Sequence, residues 1–228
     1  MSSVKHAVIA AAGLGSRLGH GKPKCLVEIG GGTILQHIVS LLADVPDVRI
    51  VVGFMENSVI KEITRLRRDI IIVRNPDFRN TTTLHSYVLG ARHVTGSDCL
   101  FMDADLLINP CSFQNFLKSC KTAEPRLAIT KAKTNDAVYV DLDENGLVTD
   151  FNRVRKTPFE WANISWLPTH LLKPQDNTNV YTYLSRSLPL PATQVEAYEV
   201  DTEEDLIRAQ RGIKWLLPDA MLESSPGV

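Results

Sequence analysis

Two rhythms of apolar and polar residues alternate along the first half of the chain. Short apolar runs at Lys5 to Ala11, Arg49 to Gly53, Asp69 to Val73 and Asp98 to Asp103 read as buried strands. Segments at helical spacing stand between them. Ile34, Leu35, Ile38, Leu41 and Leu42 define a helix over Thr33 to Ala43, with Thr33 as its N-cap. Glu56 to Arg68 is a second helix, whose Arg-Leu-Arg-Arg face is solvated, and Thr83 to Arg92 is a third. Regular alternation predicts an α/β fold: a mainly parallel sheet, helices on both faces, and right-handed crossovers.

The second half is more mixed. Arg126 to Ala132 and Ala137 to Leu142 read as strands, and the Asn145-Gly146 turn predicts a hairpin over Ala137 to Phe151. Asn163 to Leu167 is a further strand and Val195 to Val200 the last. A helix follows from Thr202 to Leu216, opened by a Thr202/Asp205 capping box. Residues 1–217 are expected to form a single domain, and 218–228 to be a tail or linker leading to a fused C-terminal domain in the native chain.

Composition narrows the class. At 228 residues, with 44% hydrophobic and 22% charged residues, the chain has ample material for a core. A net charge of −1 gives no reason to expect nucleic acid or a membrane surface as partner. No apolar run approaches a membrane span, and the N-terminal apolar run leads into glycines rather than a cleavage site. Cys25, Cys99, Cys111 and Cys120 lack zinc spacing and suit a reducing cytoplasm.

The candidate chemistry begins where the first strand ends. Residues 10–26 read AAAGLGSRLGHGKPKCL: glycines beside Arg17, Lys22 and Lys24. Glycine permits positive φ and close backbone approach, and successive N–H groups form a concavity suited to an anion. Fixed cations in the same loop point to a polyphosphate. Two familiar loops are excluded. A dinucleotide site wants an acid at the end of the second strand, which here ends Val52-Gly53, and no Gly-Lys-Ser/Thr opens a helix as in a Walker A loop. Asp103 and Asp105 end the apolar strand CLFMDAD, and Asp201 follows the last strand. Mg²⁺ often takes only one or two protein carboxylates, so Asp105 and Asp201 are candidate ligands. The simpler alternatives are a turn acceptor for Asp103 and a helix cap for Asp201. Ligands of open parallel sheets lie beyond the strands' carboxyl ends, where the glycine loop, Asn80 to Ser86, Asp103 to Asp105 and Asp201 are all expected.

The blocks AAAGLGSRLG, KPKCLVEIGG, TILQHIVSLL, FMDAD and YEVDTEEDLIRA cover nearly the whole chain. They resemble the nucleotidyltransferases that activate sugar phosphates and phospho-alcohols. NTTTLHS at Asn80 to Ser86 and the YEVD ending are most similar to the phosphocholine and phosphonate cytidylyltransferases. With its linker-like tail, the chain also resembles the cytidylyltransferase domain that precedes a phosphoenolpyruvate mutase domain in some fosfomycin-making bacteria. The resemblance implies a Rossmann-like three-layer fold of the nucleotide-diphospho-sugar transferase type with a mixed, mainly parallel sheet. It implies Mg²⁺-dependent transfer of CMP from CTP to a small phosphonate or phosphate monoester. Ala11, Ala12, Gly13, Leu14, Gly15, Ser16, Asp103 and Ala104 would line the nucleotide, Arg17 and Lys24 would neutralise charge in the transfer, and Thr82, Thr83 and Ser86 would read the base, with helix capping the alternative for each of the three. Asp105 and Asp201 would hold the metal, while Arg153, Trp161, Asn163 and Trp166 would meet the acceptor, with Arg153 or Lys156 anchoring its phosphorus group; a core position is the alternative for either tryptophan, and a solvated position for either basic residue. No acidic cage around an aromatic pair is evident, which favours a neutral alcohol or an amino-phosphonate over choline. A sugar-phosphate nucleotidyltransferase, a molybdopterin-type transferase and a non-catalytic nucleotide-binding module are the alternatives.

Overall fold

In the computed structural model, which describes residues 4–18, 21–94, 98–134, 136–172 and 177–216, the run His6–Ala11 is strand β1 inside a nine-stranded sheet. The hairpin β2 (Glu28–Ile29) and β3 (Gly32–Thr33) leads into helix α1 (Ile34–Leu41). Then come β4 (Asp47–Val52), α2 (Glu56–Leu66), β5 (Ile71–Arg74), α3 (Thr83–Ala91) and β6 (Asp98–Asp103). The second half adds β7 (Leu106–Ile108), α4 (Pro110–Ser119), β8 (Arg126–Lys131), β9 (Tyr139–Leu142), β10 (Leu147–Asn152) and β11 (Phe159–Pro168). It closes with α5 (Val180–Leu184), β12 (Leu190–Gln194), β13 (Ala197–Glu199) and α6 (Glu203–Gly212).

The strand order is β5-β4-β1-β6-β11-β8-β12-β10-β9. The half that carries the glycine loop, β5 to β6, is parallel throughout. Antiparallel β11 joins it to the second half. Alternate side chains of β1 explain the three layers. Ala7 and Ile9 enter a core with Ile34 and Ile38 of α1, Ile63 of α2, Phe113 of α4 and Leu206 of α6. Val8 faces the opposite core with Tyr87 of α3 and Leu184 of α5. Each fully buried large apolar side chain contributes about 1.5–3 kcal/mol. Helix α3 lies so close to β1 that a Cβ on Gly90 would stand 2.4 Å from Val8 Cγ1, so only glycine fits there.

Most expected elements are present, with ends shifted by a residue or two. Thr33 caps α1 by accepting from Gln36 N at 3.1 Å. The capping box of α6 forms between Thr202 and Asp205. In the β9–β10 hairpin, Gly146 takes φ of +77° and Asp143 Oδ1 accepts from the backbone of Asn145 and Leu147. Three expectations change. The strand expected at Val195 to Val200 shrinks to β13 and pairs antiparallel with β7 in a separate two-stranded sheet. The last helix ends at Gly212, followed by a 3-10 turn over Lys214–Leu216. The strand expected at Asn163 to Leu167 spans Phe159–Pro168, with a bulge between Trp161 and Ser165. Gly19, His20 and the expected tail at 218–228 lie outside the described residues. Among the described residues, no helix is long and apolar enough to cross a membrane.

Candidate active site

Where β1 and β6 end side by side, a cavity of about 230 Å³ opens. Ala11, Ala12, Gly13, Gly15, Arg17 and Lys24 line it from the loop side, Thr82, Thr83 and Ser86 from the start of α3, and Asp103, Ala104 and Asp105 from the end of β6. Asp201 closes it from beyond β13. Residues far apart in the chain thus share one address, as expected for the carboxyl edge of a parallel sheet. Gly15 takes φ of +62°, and a Cβ there would press on Lys24 Cγ at 3.0 Å, so this glycine shapes the loop around the lysine. Leu14 is half exposed and lies off the cavity wall. The side chain of Ser16 lies outside the described set.

Charge is tightly paired at the centre. Lys24 Nζ donates to Asp105 Oδ2 at 3.0 Å and to Asp201 Oδ1. Arg17 Nη1 lies 2.5 Å from Asp201 Oδ2 and donates to Asp136 Oδ2 at 2.9 Å. Burial works against the charge on Lys24, but Asp105 and Asp201 outweigh it and lift its pKa above the ordinary lysine value. Burial and repulsion from Asp105 push Asp103 up to about 7, against a 2.6 Å hydrogen bond from the Tyr87 hydroxyl and the charge of Lys24. Glu199 is also raised, by burial and then by its neighbours Asp105, Asp103 and Asp201.

These carboxylates fit a hard divalent cation. Asp105 Oδ1 is buried without a hydrogen-bond partner, an acceptor open to a cation. Among the described residues, no group of three His, Cys, Asp or Glu side chains could hold a metal. A two-carboxylate site completed by phosphate and water is how Mg²⁺ is commonly held.

A second cavity of about 290 Å³ adjoins the first and shares Arg17, Thr83, Asp103, Glu199 and Asp201 with it. Arg153, Trp161 and Asn163 line it. Asn163 takes φ of +55° at the bulge of β11, a conformation that re-aims a side chain out of strand register. Arg153 donates to Asp136, so one carboxylate links guanidinium groups at both cavities. The expectation for Trp166 needs correction. It is buried, lines neither cavity, and donates its indole N–H to Lys121 O at 2.8 Å. It is a core tryptophan because, five residues from Trp161 along β11, it points to the opposite face of the sheet, into the core with Ile9 and Ile34. Lys156 lines neither cavity.

Sequence reading missed several lining residues. Asn75 and Phe78 border the first cavity, and Asp136, Glu160, Tyr181 and Glu204 the second. Acids and two aromatics, Trp161 and Tyr181, thus line the second cavity. They come from separate segments and form no motif; the Asn75-Pro76 pair after the third strand was the clearest available signal.

Residues 7–177 match the MobA-like NTP transferase domain. Among curated proteins, the bifunctional protein GlmU of Buchnera aphidicola subsp. Acyrthosiphon pisum is 26% identical over 161 residues, covering 69% of this chain and 34% of that protein. The chain spans about a third of that relative's length. GlmU of Ruthia magnifica subsp. Calyptogena magnifica is 44% identical over 59 residues, 25% of this chain and 13% of that protein. Among solved structures, the inositol-1-phosphate CTP transferase from T. maritima is similar with a TM-score of 0.77 and 14% identity, covering 96% of this chain and 100% of that one. The CTP:phosphocholine cytidylyltransferase from Streptococcus pneumoniae follows with a TM-score of 0.75 and 16% identity, covering 92% of this chain and 99% of that one. At such identities the structural likeness speaks for the fold.

Proposed function

The chain belongs to the MobA-like NTP transferase domain family, and from that premise we propose that it transfers CMP from CTP to a small phosphonate or phosphate monoester. One observation carries this reading: two cavities share a wall that holds Arg17, Asp103, Glu199 and Asp201, with Lys24 beside it. A nucleoside triphosphate in the first cavity and an anionic acceptor in the second would meet there. An acceptor oxygen attacks the α-phosphorus, the new P–O bond forms, and the bond to the β-phosphate oxygen breaks with its electron pair leaving on pyrophosphate. The second pKa of a phosphate monoester is about 6, so the acceptor is already largely dianionic near neutral pH and needs no general base.

In this reading, the glycine loop cradles the phosphates, while Arg17 and Lys24 compensate the charge that develops on them. Such positioning and charge compensation supply most of the acceleration in phosphoryl-type transfer. Asp105 and Asp201 would hold Mg²⁺, which when bound neutralises phosphate oxygens and favours the leaving group. Thr83 and Ser86 face the base. Arg153 anchors the acceptor's phosphorus group, and Asn163 and Trp161 bound its organic end. The class comprises 2-hydroxyethylphosphonate, 2-aminoethylphosphonate and phosphocholine. A domain fused to a phosphoenolpyruvate mutase in an antibiotic pathway would take the first. The acids among the second cavity's lining also suit the amine-bearing members.

Mass spectrometry of products from each of the four nucleoside triphosphates with these three acceptors and glucose 1-phosphate tests the reading. The expected result is a CMP ester and pyrophosphate from CTP alone with at least one of the three. A nucleotide sugar as sole product would instead support a sugar-phosphate nucleotidyltransferase, and nucleotide binding without turnover a regulatory module.

A further inference from the structure

At the side of the first cavity sits a buried amide that no motif reveals. Asn75 is 2% exposed. Its backbone N–H donates to Val52 O at 2.8 Å, continuing the β4–β5 pairing by one residue. Its Oδ1 accepts from the backbone N–H of Asp77 at 3.1 Å. That bond settles which way the amide faces, because only an oxygen accepts from an N–H. Nδ2 is therefore the atom turned to Thr81 and Ser86, donating to Thr81 Oγ1 at 3.0 Å and to Ser86 Oγ at 3.3 Å.

An amide nitrogen only donates, so both hydroxyls must receive it with a lone pair and send their own protons elsewhere. Thr81 sends its proton to Asp77 O at 2.8 Å. Ser86 differs. It is 3% exposed and lines the nucleotide cavity, and among the described residues none is seen to accept its proton. A buried donor without an acceptor is costly, and a ligand that brings an acceptor removes the cost.

We infer that Asn75 is a positioning residue for the nucleotide base: it makes Ser86 an obligate donor into the cavity, which selects a base edge presenting an acceptor. O2 accepts in both pyrimidines, but position 3 is an acceptor in cytosine and a donor N–H in uracil, so a hydroxyl donor facing that position separates the two. The inference rests on the first cavity being the nucleotide site. It adds the polarity of the base contact and the residue that sets it.

Isothermal titration of the full chain with CTP, UTP and pyrophosphate, in the presence of Mg²⁺, tests it. Ser86→Ala weakens CTP binding about tenfold, the scale of one hydrogen bond. The CTP-to-UTP affinity ratio falls toward one, and pyrophosphate, which has no base, binds as before. Asn75→Asp places an acceptor against Ser86 Oγ, captures its proton, and gives the same pattern; the double variant is no weaker for CTP than Asn75→Asp alone. Merely structural damage would weaken CTP and pyrophosphate together, and that result overturns the proposal. So does a Ser86→Ala protein that binds CTP like wild type, which decides the matter even if Asn75→Asp fails to fold. A wild-type chain that binds pyrophosphate but no nucleoside triphosphate sinks the proposed function itself, whereas CTP binding indifferent to Ser86 removes this inference alone.

Discussion

The ammonium of Lys24 stands 3.0 Å from Asp105 Oδ2 and also reaches Asp201, so one half-buried cation occupies both carboxylates that a divalent metal would use. The charge that the proposed reading assigns to the phosphates and the charges it assigns to a metal therefore pair with each other. In the proposed reading, Asp105 and Asp201 would hold the metal of a metal–triphosphate complex, and the Lys24 ammonium would pair with phosphate instead.

Removing that ammonium exposes both carboxylates. Lys24→Met is expected to bind Mn²⁺ in the absence of nucleotide about tenfold more tightly than wild type, a difference of about 1.4 kcal/mol, as read by electron paramagnetic resonance titration. The same variant loses turnover by about 10²–10³, the usual cost of deleting one fixed charge-stabilising donor. Equal Mn²⁺ affinity in the two proteins would show that Lys24 does not compete for the site.

Asp105→Asn tests the other half of the pair. Asp105 Oδ1 has no protein partner, and an asparagine oxygen can still accept from Lys24 Nζ, which Asp201 also holds, so the fold is kept. Turnover is expected to vanish with circular dichroism unchanged. Full activity of the folded variant would remove Asp105 from the reaction.

The path from residues to fold was legible wherever local and tertiary signals agreed. The β6 limits, Asp98–Asp103, match the apolar run because burial on both faces leaves no ambiguity of period. Thr33 and Thr202 declared their helices through capping chemistry. Helix α4 was passed over, although Asn109-Pro110 is an N-cap followed by proline at the first helical position. The site divides along the same line. Gly13, Lys24, Asp105 and Asp201 belong to contiguous motifs, and the cavity brings them together. Asn75, Asp136, Glu160 and Tyr181 enter only through tertiary packing, and the bulge that turns Asn163 follows from no local pattern.

Arg153 separates the two substrates experimentally. It lines the second cavity and not the first. Arg153→Ala is therefore expected to raise the acceptor's KM about tenfold or more, the loss of a charge-assisted contact, with the KM for CTP nearly unchanged. Asn163→Ala should act on the same constant, with a smaller effect because its amide is neutral. Steady-state kinetics with each substrate varied in turn give the answer, and a matching rise in the CTP constant would place Arg153 in the nucleotide site instead.

Stability at acid pH should depend on a cluster remote from the chemistry. Asp47 Oδ2 lies 2.7 Å from His6 Nδ1, and the Asp47 carboxylate accepts from Arg49 Nε and Nη2 at 2.9–3.1 Å. Arg49 also donates to the backbone oxygens of Gly90 and Arg92, tying the end of α3 to β4. Burial raises the pKa of Asp47, but the bonds from Arg49 and His6 outweigh it and hold it below the ordinary aspartate value of 3.8. A carboxyl whose folded pKa is depressed stabilises the fold above its unfolded pKa and loses that contribution as pH falls through the folded value. Asp47→Asn is thus expected to lower Tm at pH 7 by about 2–4 °C, the shift that accompanies roughly 1 kcal/mol in a chain of this size. As pH falls well below the ordinary aspartate value and the wild-type carboxyl takes up its proton, the two proteins should converge. Thermal melts from pH 7 down to pH 2.5 decide it: a gap that stays constant across the range would mean that Asp47 stabilises the fold by packing rather than by charge.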